Sequence, residues 1–238
     1  MPTFDVNKVP YGLEPILVEG ANHAVASLRA RRVSEIMLPE APDGFLLNNK
    51  VRTFIQAHIR RCLTFIEGGL AEYHAGRPLI TDQCSRAIYE NVAAFHDFTE
   101  KLKPVLQGGD YQMIKDIIMQ TAFATRVQEW IDQHGTEYQA VNIITQIKKL
   151  AKINPLYGDA FERLCDIVHP NGLGSIVYFA AIDETSGIAR ISDSGHDPEK
   201  AYASLVLAGV LLLRFEKDIG DLEPMLLAAR EGFRPQTE

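Results

Sequence analysis

The segment FERLCDIVHPNGLG, residues 161 to 174, places Arg163 six positions before His169 and ends in a Pro-Asn-Gly corner. A histidine and an arginine are the pair that phosphodiester chemistry can use without a metal. An imidazole titrating near neutral pH can move the proton of a ribose 2′-hydroxyl. A guanidinium can hold two phosphate oxygens and offset the charge that develops on them. The spacing is awkward for one chain, because six positions is about 240° around an ideal helix. Two copies of the helix meeting across a dimer axis would remove that difficulty. The plainer explanation of each residue also stands. Arg163 is four positions from Asp159 and three from Asp166, which suits an exposed ion-pair cluster. His169 would be an imidazole interacting with the carbonyl end of a helix.

A second pair, Arg86 and Glu90, is four positions apart and shares a helix face. It is either an exposed ion pair or the support of a binding arginine. Asn171, inside the corner, is the remaining binding candidate. His58-x-x-x-Cys62 has a metal-like spacing, but both residues fall on an apolar face and core packing explains them better. No Glu-x-x-His, glycine-rich phosphate loop, Gly-x-Ser-x-Gly or His-Glu-x-x-His occurs. Neither a metal nor a cofactor is expected.

These residues need long helices to place them. Apolar residues from Val51 to Tyr73 recur with three-four spacing, the mark of one long amphipathic helix closed by Gly76 and Pro78. The next helix is expected to start at Thr81 or Asp82 as cap and to stop at Gly108-Gly109. A third is expected from Asp110 to His134. Thr136-x-x-Gln139 has the form of a capping box for a fourth, running to Ala151. Asn154-Pro155 opens the helix carrying Arg163, and Pro170 closes it at His169. Residues 175–192 break the rhythm as a short hairpin around Glu-Thr-Ser-Gly. A long apolar helix follows over about 197–218, with Pro224 restarting a shorter segment. The expected fold is all-α: a bundle of four to five core helices with a small β-hairpin insertion before the last long helix. Residues 1–48 form an amino-terminal extension with a short helix over about Ala24 to Met37, and 49–238 form the bundle.

Composition sets limits on partners. The chain has 238 residues, 46% of them hydrophobic and 23% charged, with a net charge of −7. An acidic balance does not advertise nucleic-acid binding, although a local basic patch can sit on such a surface. Three scattered cysteines, Cys62, Cys84 and Cys165, suit reduced thiols in a cytoplasmic protein. No signal peptide is expected. The most apolar stretch, SLVLAGVLLL from Ser204 to Leu213, is far short of the ~20 residues that span a bilayer, so no membrane partner is expected.

Ser85-Arg86-x-x-x-Glu90 on an early helix, followed by Leu164-Cys-Asp-x-Val-His-Pro-Asn171, resembles uncharacterised bacterial branches of the HEPN superfamily. The resemblance covers roughly Val51 to Ala180. It implies a helical, homodimeric protein of a defence or stress system, acting on RNA or on a protein partner. Arginine, four to six residues, then histidine is the ribonuclease motif of that superfamily, and Arg163 and His169 occupy it here as catalytic candidates. Leu164 stands where a polar residue usually follows the arginine. The alternative implied by the same resemblance is a non-catalytic dimeric interaction or ligand-binding module.

Overall fold

The computed structural model describes residues 3–10, 12–36, 43–122, 124–192 and 197–232. Helix α1 spans Pro15–Ala30, α2 Asp43–His74, α3 Pro78–Gly108, α4 Tyr111–Ala122, α5 Gln128–His134, α6 Ile143–Ala151, α7 Leu156–Val168 and α8 Pro198–Gly232. Strands β1 (Ala180–Asp183) and β2 (Ile188–Ile191) pair antiparallel, with Ala180 opposite Ile191 and Asp183 opposite Ile188. The protein is an all-α bundle with a small hairpin before the last long helix.

Helix α8 packs against α1, α2 and α3, and α3 carries α6 and α7 on another side. The apolar faces of these helices enclose one core. Phe95 and Phe215 meet edge-on at its centre, 4.6 Å between ring centroids. Leu205, Val206, Ala208, Leu211 and Leu212 are all buried, so the apolar Ser204–Leu213 stretch turns one broad face to the core, while Leu213 is exposed. No helix among the described residues is long and apolar enough to cross a membrane. Phe4 and α1 contribute to the same core.

Helices α2 and α8 come close because Gly69 has no side chain. A Cβ there would lie 2.7 Å from Leu205 Cδ1 and 3.2 Å from Cys84 Cβ. Gly69→Val should therefore destabilise the protein by about 1–3 kcal/mol, as forced overpacking does. Urea unfolding would measure it, and an unchanged midpoint would contradict the close approach.

Several boundaries differ from the sequence expectation. The first helix begins at Pro15, nine residues earlier than expected, and ends at Ala30; Met37 lies outside the described residues. Pro78 opens α3 at its first position rather than merely ending α2, so Thr81 and Asp82 lie inside the helix and do not cap it. The expected third helix is two pieces. Between them Thr125 donates to Tyr138 O at 2.9 Å and accepts from Ala140 N at 2.8 Å, which holds the chain extended. Thr136–Tyr138 is a single 3-10 turn, and the cap of α6 is Asn142, whose side chain accepts from Ile144 N. Ile176–Phe179 is helical rather than strand. Pro224 sits inside a continuous α8. The carbonyl its missing N–H would have met belongs to Gly220, which has open space around it.

Candidate functional site

Helix α7 presents the expected catalytic pair, and its ends form as the sequence suggests. Asn154 Oδ1 accepts from Leu156 N at 3.1 Å. At the other end His169 leaves the helix with ψ 145°, and its N–H still bonds Cys165 O. Asn171 Oδ1 then accepts from Gly174 N at 2.8 Å and starts a wide helical turn over Gly172–Val177. Gly174 is forced by packing. A Cβ there would lie 2.0 Å from His169 O and 2.4 Å from Ile167 O. The Pro-Asn-Gly-x-Gly corner thus has a structural task, and Asn171 spends its side-chain acceptor on it.

Arg163 and His169 are both exposed. Among the described residues the His169 ring makes no hydrogen bond, ion pair or ring contact, and Arg163 enters no ion pair, with Asp159 and Asp166 or otherwise. The two do not meet within one chain. Leu164, between them in sequence, is buried in the core.

Arg86 and Glu90 do form their pair, at 3.1 Å and half-buried. The pair lies against α7, since the Arg86 guanidinium sits 5.8 Å from the Phe161 ring centroid. It also reaches Cys165. Burial pushes that thiol above its ordinary value, Arg86 opposes the shift, and Glu90 and Asp166 add to it. Arg86 Nε is buried without a hydrogen-bond partner. Four of the five candidate residues are thus placed by the α3–α7 seam or the corner beyond it; Arg163 projects from α7 itself.

Asp82, one turn before Arg86 on α3, was not singled out as a site residue by its sequence context. It is 1% exposed, and neither carboxylate oxygen has a hydrogen-bond partner. Burial raises its carboxyl to about 7, against the opposing effects of the Ser204 hydroxyl and the Arg163 guanidinium. Ser204 has one proton, and it is given to Lys200 O at 3.1 Å. Tyr178, which follows the wide turn, is raised by burial and then by the charge of Asp82. Arg163 therefore has an electrostatic partner 81 positions away rather than on its own helix.

No family model, curated protein or solved structure matches this chain. Chemistry has to be argued from the side chains alone.

A separate polar group lies between α3 and α8. His96, Glu100 and Asp218 place one ligand-type atom each within 4.8 Å of one another. The residues could hold a divalent ion by type, with two positions from one helix and one from another. Arg214 already fills that role. Its guanidinium bonds Asp218 Oδ1 and lies 3.2 Å from His96 Nδ1, while Asp218 Oδ2 is 3.0 Å from the same nitrogen. The cation of this cluster is the protein's own, so the donor set does not fit a metal in this arrangement. His96 and Asp218 are 122 positions apart, and only the four-residue step from His96 to Glu100 was visible in sequence.

Proposed function

We propose that the α7 corner is the site of a metal-independent endoribonuclease of the HEPN type, completed by a second copy of the chain. The supporting observation is the exposed His169 ring, free of protein partners among the described residues, at the end of the helix that also exposes Arg163. In this reading His169 takes the 2′-hydroxyl proton, and Arg163 from the facing copy holds the phosphate. The 2′-oxygen attacks phosphorus, the P–O5′ bond breaks, the leaving 5′-oxygen takes a proton from water while His169 returns its own to solvent, and a 2′,3′-cyclic phosphate and a 5′-hydroxyl remain. A dimer axis along α7 brings the two groups to one groove, which a single helix cannot do.

A labelled RNA incubated with the purified protein in chelator should be cut. His169→Ala and Arg163→Ala should each lower the rate at least ~tenfold, in the range of a lost proton-transfer group. Equal cleavage by all three proteins, or none by the wild type, would remove the proposal. The second reading is the non-catalytic dimeric module, binding RNA or a protein. It is favoured by the tasks the corner already performs: Asn171 caps a turn and Arg163 offsets the charge of Asp82. RNA retention without cleavage, by a protein that sediments as a dimer, would select it.

A further inference from the structure

We propose that the cleft between the carboxyl end of α1, α2 and α8 binds a small amphiphilic monocarboxylate, an aliphatic chain ending in one carboxylate. The cleft measures ≈ 460 Å³ and shares no residue with the α7 corner. That volume falls within the usual small-molecule range of roughly 300–1,000 Å³. It has an apolar floor, a wall fixed in place by hydrogen bonds, and one cation that no protein anion matches.

The floor is Ile55 on α2 and Leu226 on α8, both buried. Val33 and Leu227 form the lip, 37% and 55% exposed. An aliphatic chain laid over these four side chains takes apolar surface out of water on both sides of the contact. The wall is made by residues 31–36, which leave α1 and are tied to α2 through Gln56. Its Nε2 donates to Arg31 O at 2.8 Å, and its Oε1 accepts from Val33 N at 3.1 Å and from Arg60 Nη1 at 2.8 Å. Asn48 Nδ2 donates to Leu226 O at 2.9 Å and ties α2 to α8. With these groups engaged, the cleft has its shape before a ligand arrives, and the ordering cost of binding is small.

The charged groups of the lining are Arg31, Arg52 and Glu223. Arg31 Nη1 meets both oxygens of Glu223, at 3.1 and 2.9 Å, so those two charges answer each other. Arg52 is exposed and enters no ion pair or hydrogen bond among the described residues. Arg32 and Arg60 on the same two segments are exposed and add to the positive field; Glu35 is the exposed acid beside them. An unmatched guanidinium takes one negative charge, and its planar fork fits a carboxylate with two parallel bonds. The apolar floor selects what that carboxylate is attached to. A sugar or a base would set its polar edge against Ile55 and Leu226 without partners, whereas a hydrocarbon tail has none to lose.

Isothermal titration of the full chain with butanoate, hexanoate and octanoate tests this. Octanoate should bind saturably at or below about 1 mM. Affinity should rise about three- to fourfold for each CH₂ added along the series. Octan-1-ol keeps the chain and lacks the charge, and should bind at least ~tenfold more weakly than octanoate. Arg52→Met keeps the aliphatic stem at an exposed position, so the fold should persist while octanoate binding weakens at least ~tenfold. Glu223→Gln should bind octanoate as well as wild type or better. Absence of saturable octanoate binding overturns the proposal. So does equal affinity across the three chain lengths, equal affinity for octan-1-ol, or binding indifferent to Arg52→Met. His169→Ala should leave this binding unchanged, so the cleft and the α7 corner succeed or fail separately.

Discussion

Asp218→Ala should cost the protein about 3–5 kcal/mol of unfolding free energy, the loss seen when one member of a buried charged network is removed. Asp218 is fully buried on α8 and joins two partners at once. His96 on α3 meets one oxygen at 3.0 Å, and Arg214, one turn back on α8, meets the other. Truncation leaves a guanidinium that is only 15% exposed without its anion. The penalty comes from that stranded charge more than from the attraction lost. Typical domains have only about 5–15 kcal/mol in total, so the midpoint of a urea titration should move far.

The same reasoning predicts the rescue. Replacing all three by apolar residues of similar size, His96→Leu with Arg214→Met and Asp218→Leu, should recover most of the loss, because no buried charge is then left unmatched. A triple variant as unstable as the single one would show that shape, not charge, dominates at this seam. A loss below about 1 kcal/mol for Asp218→Ala would show the network to be solvated in solution. What the charges contribute in the intact protein is register: His96 and Asp218 meet only if α3 and α8 are neither slid nor rotated.

That pairing also marks where sequence reasoning stops. Helices α2, α7 and the body of α3 are legible because their apolar residues repeat every three or four positions and their ends carry local signals. Asn154-Pro155 and Gly109, which takes φ 70° after α3, are such signals. Local signals mislead when a stronger one stands nearby. Thr81 and Asp82 have the chemistry of caps, but Pro78 lies upstream and opens the helix first. The break between α4 and α5 was illegible for another reason: Thr125 is held by Tyr138 and Ala140, more than twelve positions later. The site divides in the same way. Arg86 and Glu90 pair along one helix, so their spacing reveals them. Asp82 facing Arg163, and Asp97 taking Lys149 from α6, are contacts made by packing helices, and no spacing announces them.

Asp82→Asn is expected to raise stability at alkaline pH and to do little near pH 5. The carboxyl has an ordinary value of 3.8 and is raised to about 7 in the fold. Between those two values the folded protein holds a proton that the unfolded chain releases. Raising the pH therefore favours the unfolded chain, and stability falls from about pH 4 to about pH 7 before levelling. Above pH 7 the fold carries a carboxylate that neither oxygen of which finds a hydrogen bond, with Arg163 as its electrostatic relief. An amide in its place has no charge to bury but still pays for unmet polar atoms, so the net gain at pH 8 should be roughly 1–3 kcal/mol. Urea titrations of both proteins at pH 5 and pH 8 measure the difference. The variant should also lose the downward slope with pH that this carboxyl contributes. If Asp82→Asn is instead less stable at pH 8 than at pH 5 relative to wild type, the carboxylate is held by Arg163 as a true ion pair. Arg163 would then be committed to the fold, and its part in binding phosphate at the α7 corner would fall with it.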